Sequence, residues 1–414
     1  MKFLKFCATS MLGMLIIGVI FFNISLYYSP RYLTVGESRV HQGLMQQLAQ
    51  LKSALHNGAA DDMQAIYPEG FVFLNALYGL NWIELAEACN EGDSLYQEAS
   101  AEMDWVLAEL ASEKAKQPFN PSLEPAYGIF YRGWSNYVLG RKLSMLPKAE
   151  RSPAEVQQFQ QNCREITQAL DKQSSPFLES YALGCWPADM TVAMASVAIH
   201  EKLFPGTYAQ TLAQWIEQVE LSTDHLGLIP HAVDSESGKV LEPARGSSQS
   251  LILNFLMEID STYALEKFEI YQQEFLAYRL GLPGIREYPE NHDGAGDIDS
   301  GPVIWGMGGA ASIVGQRVMA KYGAPEIAVG IRNSVETFGL GHTHAGKKHY
   351  LFGALPMADA FIAWSNSAEA SEGEALEARG NWRLPFQLIS LLAAMLCAGL
   401  GFLIFRRKGR GNLA

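Results

Sequence analysis

Residues 179–204 read ESYALGCWPADMTVAMASVAIHEKLF, a polar and aromatic loop that leads directly into an apolar segment beginning at Pro187. Proline is favoured in the first turn of a helix, so this pattern predicts a helix over 187–204. Similar junctions, in which unusual loop residues stand directly before a predicted helix, recur near residues 126, 246 and 301. They precede every second predicted helix or nearly so, as expected if these helices all begin at one rim of the fold.

Helical periodicity and helix-end signals predict twelve helices between the two ends of the chain. They lie near 37–56, 70–90, 95–115, 126–146, 153–172, 187–204, 207–221, 246–258, 262–281, 301–322, 325–338 and 355–367. Ser152 and Glu155 have the spacing of a capping box at the start of one of them. The segment Leu226–Pro243 instead predicts a β-hairpin, because two strand-like runs flank the turn Ser235-Glu236-Ser237-Gly238.

Twelve helices correspond to six helical hairpins, which can stack as an open superhelix or close into an (α/α)6 toroid. No self-similarity with a period of about 34–47 residues is visible, and this counts against stacked repeats. The regular placement of the loop junctions favours closure. We therefore expect an all-α fold, an (α/α)6 toroid or barrel of about six helical hairpins with a small β-hairpin insertion.

Both ends of the chain are strongly apolar. The charge-free stretches from Phe6 to Pro30 and from Leu384 to Phe405 are each long enough to cross a hydrocarbon layer of about 30 Å as a helix. Basic residues flank them on the outer sides, namely Lys2, Lys5, Arg406, Arg407, Lys408 and Arg410. This bias predicts that both termini are cytoplasmic. A cleaved signal peptide is the alternative for the first stretch, but no small-x-small cleavage site follows it.

These features divide the chain into six parts. The expected order is a cytoplasmic N-terminus (1–5), a transmembrane helix (6–29), an extracytoplasmic toroid domain (30–365), an acidic linker (366–383), a second transmembrane helix (384–405) and a basic cytoplasmic tail (406–414). The predicted location is the cell membrane, and the lipid bilayer is the first predicted partner.

The composition limits the other partners. The chain has 44 acidic and 31 basic residues, and its hydrophobic fraction of 48% excludes a disordered protein. A net charge of −13 argues against nucleic-acid binding. No cysteine or histidine spacing typical of a zinc site occurs, so we predict no metal and no cofactor. We predict no metal ligand among the cysteines outside the membrane segments, which are odd in number, or in the one histidine group. These residues are Cys89, Cys163, Cys185, His342, His344 and His349.

The junction before residue 301 has the densest chemistry. Five carboxylates lie between Glu287 and Asp299, and crowded carboxylates in a partly apolar cleft shift one another's pKa, which suits general acid/base work. One alternative is that Asp299 or Ser300 merely caps a helix begun by Pro302. A calcium loop is another, although the twelve-residue EF-hand pattern is incomplete. The other candidate residues of this junction are Arg286, Tyr288 and Asp297.

The remaining junctions offer further candidates. Before 187, Asp189 is either a helix cap or an acid/base group, and Cys185 is either a packed residue or a nucleophile whose pKa the helix dipole lowers. Tyr181 and Trp186 would supply a donor and a flat wall. Before 246, Arg245 and Ser247 could hold an anion or a polyol, or Ser247 could cap the helix. The junction near 126 could line a pocket or belong to the core, with Tyr131, Arg132 and Trp134 as its candidates.

Four patches resemble the linalool dehydratase/isomerase family, an (α/α)6 toroid fold, over about residues 67–365. They are FLNALYGLNWIELAE at 73–87, IFYRGWSNYVLG at 129–140, ESYALGCWPADMTVAMASVAIHEKLFPGTY at 179–208, and the Asp-rich loop before 301. The resemblance implies a central cavity in which acid/base groups and a cysteine act on a small alcohol.

Cys185 matches one of that family's two pocket cysteines, and Tyr181 falls in the aromatic stretch before it. Phe177 and Leu178 occupy the neighbourhood of the other cysteine, and Trp134 stands where the family has a histidine. The toroid is also similar to the six-hairpin glycosidases and sugar epimerases, in which carboxylates and aromatic residues handle carbohydrate.

Three hypotheses follow. The first is an enzyme that acts on a carbohydrate or other polyhydroxylated substrate, with Asp299 and Asp189 as the acid/base pair and Glu287 in reserve. Substrate platforms and polar clamps would be Trp134, Tyr181, Trp186, Arg245 and Arg286. The second is a dehydratase or isomerase that acts on a small alcohol through Cys185 and Tyr181. The third is a non-catalytic envelope protein that binds a glycan or a protein.

Overall fold

The computed structural model describes residues 2–298, 300–370 and 374–406, and these residues are predominantly helical. The helices are α1 (Lys2–Ser25), α2 (Gln42–Leu55), α3 (Ala59–Ile66), α4 (Gly70–Glu87), α5 (Ser94–Ala111), α6 (Glu113–Lys116), α7 (Gly128–Met145), α8 (Pro153–Leu170), α9 (Pro187–Leu203), α10 (Ala209–Glu220), α11 (Gly246–Ile259), α12 (Ser261–Phe275), α13 (Gly309–Lys321), α14 (Pro325–Phe338), α15 (Pro356–Ala370) and α16 (Leu384–Arg406). A 3₁₀ helix spans Leu351–Gly353.

Short antiparallel hairpins connect several of these helices. The strand pairs are β1 (Tyr32–Val35) with β2 (Ser38–His41), β3 (Ala232–Val233) with β4 (Val240–Glu242), β5 (Leu276–Arg279) with β6 (Leu282–Ile285), β7 (Val303–Ile304) with β8 (Met307–Gly308), and β9 (His342–His344) with β10 (Lys347–His349). The pair β3–β4 confirms the hairpin predicted within Leu226–Pro243.

Each of the twelve predicted helices has a counterpart, but three have different ends because hairpins replace helical turns. Strand β2 precedes α2, the pair β5–β6 follows α12, and the pair β7–β8 precedes α13. The predicted helix start at Pro302 is therefore wrong. Gly308 is the residue directly before α13, although the Ser300 carbonyl accepts a hydrogen bond from the Ala310 N–H at 3.2 Å. Asp299 lies outside the described residues, so its capping role stays a prediction. The capping box is also wrong, because Ser152 makes no side-chain capping bond to α8.

Three of the hairpins share one turn geometry. Their two-residue loops are Leu280-Gly281, Trp305-Gly306 and Ala345-Gly346, and all six residues have positive φ. Two successive positive φ values define the type I′ turn, which favours Asn or Asp before Gly. Because Leu, Trp and Ala stand there instead, the sequence carries only a weak hairpin signal at these places.

Six of the long helices pack in a cyclic order. Helix α4 contacts α7, α7 contacts α9, α9 contacts α11, α11 contacts α13, α13 contacts α15, and α15 contacts α4. We call these the inner helices. Each also contacts a partner, which is α5 for α4, α8 for α7, α10 for α9, α12 for α11, α14 for α13 and α2 for α15. In α9 every residue from Pro187 to His200 is buried, as expected for a helix covered on all sides.

Neighbouring inner helices run parallel. Near the start of α11, the Ser250 hydroxyl donates to the Ala311 carbonyl in the first turn of α13 at 3.0 Å. One turn further along α11, the Asn254 carbonyl accepts a hydrogen bond from the ammonium of Lys321, the last residue of α13, at 2.7 Å. Between α7 and α9, a Cβ on Gly133 would lie 3.1 Å from the Ala193 Cβ, so glycine permits this close approach. The loops that precede the inner helices therefore collect at one end.

Aromatic side chains fill the interior of this arrangement. Trp134 of α7 lies 4.9 Å from Phe73 of α4 and 5.4 Å from Phe255 of α11, and Phe255 lies 5.7 Å from Trp364 of α15 (ring centroids). The contacts from α7 to α11 and from α11 to α15 pass over the helices between them in the cyclic order. This aromatic cluster is thus a core shared by opposite sides of the fold.

Helices α1 and α16 differ from all others. Phe6–Ser25 and Leu384–Leu403 each have a mean hydropathy of 2.1, and their side chains are almost wholly unburied. The two helices pack against each other, and α1 also contacts α14. By length and composition, both could cross a membrane.

A pH effect on stability follows from His41. Its Nδ1 accepts a hydrogen bond from the Leu44 backbone N–H, which caps α2, and its side chain is buried. Burial, together with the charges of Lys348 and Arg332, lowers the pKa of His41 from 6.5 to about 3. Because the folded state resists protonation that the unfolded state accepts, stability is complete above pH 6.5 and declines as the pH falls toward 3.

We expect wild-type protein to lose about 2 kcal/mol more unfolding free energy than the His41→Asn variant between pH 7 and pH 5, at about 1.4 kcal/mol per pKa unit. Asparagine keeps a capping acceptor but does not titrate. Denaturant unfolding at the two pH values measures the difference. Equal losses in the two proteins would contradict the role given to His41.

Candidate functional site

Four predicted residues meet at the start of α11. Arg245 stands directly before this helix, Ser247 lies in its first turn, Glu287 follows β6, and Asp297 lies in the loop before β7. The Gly246 N–H donates to the Glu287 carbonyl at 2.8 Å and holds the segments together. Arg245 and Ser247 are distant in the sequence from Glu287 and Asp297. The loops before α11 and α13 pack together and bring the two pairs into contact.

The Arg245 guanidinium is the centre of this group. Its Nε donates to Glu287 Oε1 at 2.8 Å and its Nη1 donates to Asp297 Oδ2 at 2.5 Å. The Ser247 hydroxyl also donates to Glu287 Oε1, at 2.7 Å. The Tyr288 ring lies under the guanidinium, 5.5 Å from its carbon. One arginine therefore binds two carboxylates that differ in their surroundings.

The two carboxyl groups titrate in opposite directions. Burial raises the pKa of Glu287, whereas the hydrogen bond from Ser247 and the charge of Arg245 counteract it only in part. Burial also disfavours the charge on Asp297, but the bonds from Arg245 and Ser300 outweigh it and lower the pKa to about 2. Paired carboxyls whose pKa values are pushed apart are suited to separate acid and base roles.

Two buried polar atoms of this group have unused bonding capacity. Glu287 Oε2 and Arg245 Nη2 are both inaccessible and have no hydrogen-bond partner among residues 2–298, 300–370 and 374–406. A Cβ on Gly308 would lie 2.7 Å from Glu287 Oε2, so only glycine permits the backbone to pack this closely against that oxygen. Buried polar groups normally have partners, and exceptions mark places where a ligand or water can bind.

Two further residues, His231 and Glu242, lie in this group and were not predicted from the sequence. His231 Nε2 lies 3.5 Å from Arg245 Nη1, and the Glu242 carboxylate lies 3.4 Å from the same nitrogen. Burial and the charge of Arg245 lower the pKa of His231 to about 4, so the imidazole is neutral at pH 7. His231 directly precedes β3 and Glu242 ends β4, and the position of this hairpin just before an inner helix was the available signal.

A second group surrounds Tyr181, before α9. The Tyr181 hydroxyl donates to Glu69 Oε1 at 2.7 Å, and its ring lies 4.7 Å from the Trp186 ring. Glu69 was not predicted, although it also stands directly before an inner helix. Asp189 is buried in the first turn of α9, the helix that this loop precedes.

Cys185 has the setting of a packed residue, one of the two alternatives that the sequence left open. Its thiol is buried and donates to the Leu178 carbonyl at 3.2 Å. Burial raises the pKa of Cys185, and the charges of Asp189 and Glu179 add to this effect. The expectation that the helix dipole lowers this pKa is wrong, because removal from water outweighs it.

The predicted residues near 126 lie in the body of the fold. Trp134 is fully buried in the aromatic cluster, and the Tyr131 hydroxyl donates to the Leu110 carbonyl at 2.9 Å. Arg132 pairs with Glu165 of α8, so it is directed toward an outer helix. Arg286 binds the carbonyls of Tyr288, Pro289 and His292 and thereby shapes the loop behind Glu287.

Two further predictions concern Asp299 and metals. Asp299 lies outside the described residues. His342, His344 and His349 meet on the β9–β10 hairpin, where the ring of His342 lies 6.5 Å from that of His344 and 5.8 Å from that of His349. Within the described ranges, no group of three or more potential ligands has an arrangement that could hold a metal ion.

No protein-family model matches the chain, and no curated protein matches it either. The residues around Arg245 and Tyr181 are therefore the only indication of function.

Proposed function

We propose that this chain is a membrane-anchored (α/α)6 toroid enzyme that uses carboxylate acid/base chemistry on a carbohydrate or other polyhydroxylated substrate. The cyclic order of the parallel inner helices, each with an outer partner, supports the toroid. Helices α1 and α16 would anchor it, with the domain between them outside the cytoplasm, because Lys2, Lys5 and the basic tail flank the two helices.

Glu287 is the proposed acid/base group, and the observation that carries this assignment is its environment. The carboxyl is buried with a raised pKa, and its second oxygen has no partner in the described part of the chain. A buried carboxyl whose pKa is raised is suited to give a proton to a leaving oxygen. Ser247, half-buried and bonded to Glu287 Oε1, would connect it to the accessible side of the site.

The other residues of the group would hold the substrate. Arg245 and the ionised Asp297 present a donor and an acceptor for hydroxyl groups, and neutral His231 adds an acceptor. The pair first expected, Asp299 with Asp189, stays a prediction, because Asp299 lies outside the described residues. Glu287, first expected in reserve, is proposed together with Asp297 on the contacts described above.

A dehydratase or isomerase that acts on a small alcohol is the second candidate. The observation in its favour is the bond from the Tyr181 hydroxyl to Glu69, since a phenol on a carboxylate is an acid/base pair close to Cys185. A non-catalytic protein that binds a glycan or a protein is the third. The variants described next separate the three.

We expect Glu287→Gln to lower kcat by about a hundredfold or more on any glycoside with an alkyl or sugar leaving group that the full-length wild type cleaves, because such a leaving group needs the proton that Glu287 would donate. Glu290→Gln, which changes an exposed carboxylate of the same loop, is the matched control and should retain activity. Cys185→Ala should also retain activity. Rates over a panel of glycosides, with circular dichroism to verify folding, provide the measurement.

Each of the other two candidate functions predicts a different result. Loss of turnover of a small tertiary alcohol in Cys185→Ala, with Glu287→Gln unaffected, would favour the dehydratase. Binding of a glycan by a wild type that turns over neither substrate class would favour the non-catalytic protein. Asp299→Asn tests the carboxylate that lies outside the described residues.

A further inference from the structure

Large apolar side chains project into solvent from the loops that precede α13 and α15. They are Ile304, Trp305 (68% exposed), Leu351 and Phe352 (81% exposed), which we call the apolar rim. Trp305, Leu351 and Phe352 have positive φ angles of 53°, 46° and 60°. Such backbone is unfavourable for bulky residues, and persists where surrounding structure requires it. Exposed apolar groups on strained loops call for a binding partner.

The turn at Trp305-Gly306 is a second reason to expect that the apolar rim binds a partner. A type I′ turn favours Asn or Asp at the position that Trp305 occupies, and either would also be more soluble. A large indole at such a turn contradicts both preferences. Departures of this kind from local sequence rules are expected at functional surfaces.

Contacts along α14 show at which end of the domain the apolar rim lies. Near the start of α14, Glu326 accepts hydrogen bonds from the N–H of Gly380 in the linker. At the other end of α14, Phe338 lies 5.5 Å from Phe22 of α1 and 6.0 Å from Phe386 of α16. The two apolar helices therefore leave the domain at the carboxyl end of α14.

The apolar rim belongs to this same end. The loop that follows α14 carries Leu351 and Phe352 into α15, and the loop that carries Ile304 and Trp305 leads into α13, whose start faces the end of α14 because these two helices form a hairpin. The tip of β5–β6 is also there, since Leu282 packs with Leu26 and Phe386. The rim thus continues the surface from which the apolar helices project.

The surroundings of the rim match a bilayer interface. Next to it, the β9–β10 hairpin carries the exposed His342 and His344 and the half-buried Lys347 and His349, and Arg279 Nε donates to the Trp305 carbonyl at 2.9 Å. Tryptophan and basic side chains together are typical of the headgroup region of membranes. Basic residues also favour anionic lipids.

We propose that the apolar rim lies in the headgroup region of the bilayer that α1 and α16 cross. This inference rests on the membrane anchoring in the proposed function. It places the candidate site next to the lipid surface, because the Glu287 N–H donates to the Gly306 carbonyl at 3.1 Å, one residue from Trp305. A substrate that reaches Glu287 would then approach along the membrane.

Spin labels on the full-length chain in vesicles of phosphatidylcholine and phosphatidylglycerol test the proposal. One label is attached at Phe352→Cys, one at Trp305→Cys, and a control at Ala149→Cys, in the exposed loop that follows α7 at the opposite end of the inner helices. Cys7, Cys89 and Cys397 are replaced by serine in all three. We expect the two rim labels to be more accessible to oxygen than to a water-soluble nickel chelate, and the control label to show the reverse.

Rim labels as accessible to the nickel chelate as the control, on a chain that resists alkaline extraction from the vesicles, would overturn the proposal and favour a water-soluble partner for the rim. Failure of the anchoring itself is distinguishable, because alkaline extraction would then release the chain. The accessibility measurement requires no enzymatic activity, so it is also independent of the role of Glu287.

Discussion

Replacing Arg317 by methionine is expected to lower the free energy of unfolding by about 3–5 kcal/mol, because it leaves a buried carboxylate without its cation. Arg317 of α13 donates to both oxygens of Glu84 of α4, from Nη2 at 2.6 Å and from Nη1 at 2.8 Å. Both side chains are buried. Although burial disfavours the charge on Glu84, Arg317 holds its pKa below the usual range.

The double variant Glu84→Leu/Arg317→Met should recover much of this loss, because two apolar groups need no partner. Lys114→Met is the matched control, since it removes a cation from an exposed pair with Asp61, and it should change little. Denaturant unfolding of the full chain in detergent, followed by circular dichroism, measures all three. An Arg317→Met protein as stable as Lys114→Met would show that the buried pair contributes no stability.

Truncating Trp134 to alanine should cost about 3–5 kcal/mol, the usual range for removing a large aromatic side chain from a core. Trp134 is fully buried and contacts rings from opposite sides of the inner helices. The cavity would therefore open where no single helix can move to close it. Trp305→Ala, at an exposed tryptophan, is the control and should leave the unfolding free energy almost unchanged.

The same unfolding experiment tests the predicted loss of stability in Trp134→Ala. Retention of wild-type stability by Trp134→Ala would mean that the aromatic cluster tolerates a void, and that Trp134 serves some other purpose. Trp134→Phe should lie between the two, since it keeps a ring but loses volume.

Helix positions could be predicted because each long helix carries its own signal. The apolar periodicity of α2 and the proline at the start of α8 and α9 depend on neighbouring residues only. The β5–β6 and β7–β8 hairpins could not be predicted, because their tips are Leu280-Gly281 and Trp305-Gly306 rather than Asn-Gly. Their formation depends on packing between α12, α13 and α14.

The candidate site was predictable in part for a related reason. The four residues of the site lie in polar segments that lead into inner helices or in the first turn of such a helix, and the structure brings those segments together. They are Arg245, Ser247, Glu287 and Asp297. What the sequence could not supply is the difference between Glu287 and Asp297, because it depends on how deeply each carboxyl is covered. The burial of Trp134 likewise becomes visible only when helices from opposite sides meet.

The Leu26 carbonyl oxygen connects the segment after α1 with the segment before α16, and this affects where the folded domain begins. The Leu26 carbonyl accepts hydrogen bonds from Asn333 Nδ2 at 2.9 Å and from Arg383 Nε at 2.8 Å. Just beyond it, the Tyr28 ring covers the Lys348 ammonium at 4.7 Å. A truncation at Pro30 would therefore expose a buried amide and a buried cation along the flank of α14. A soluble fragment of this protein needs its first boundary placed ahead of Leu26.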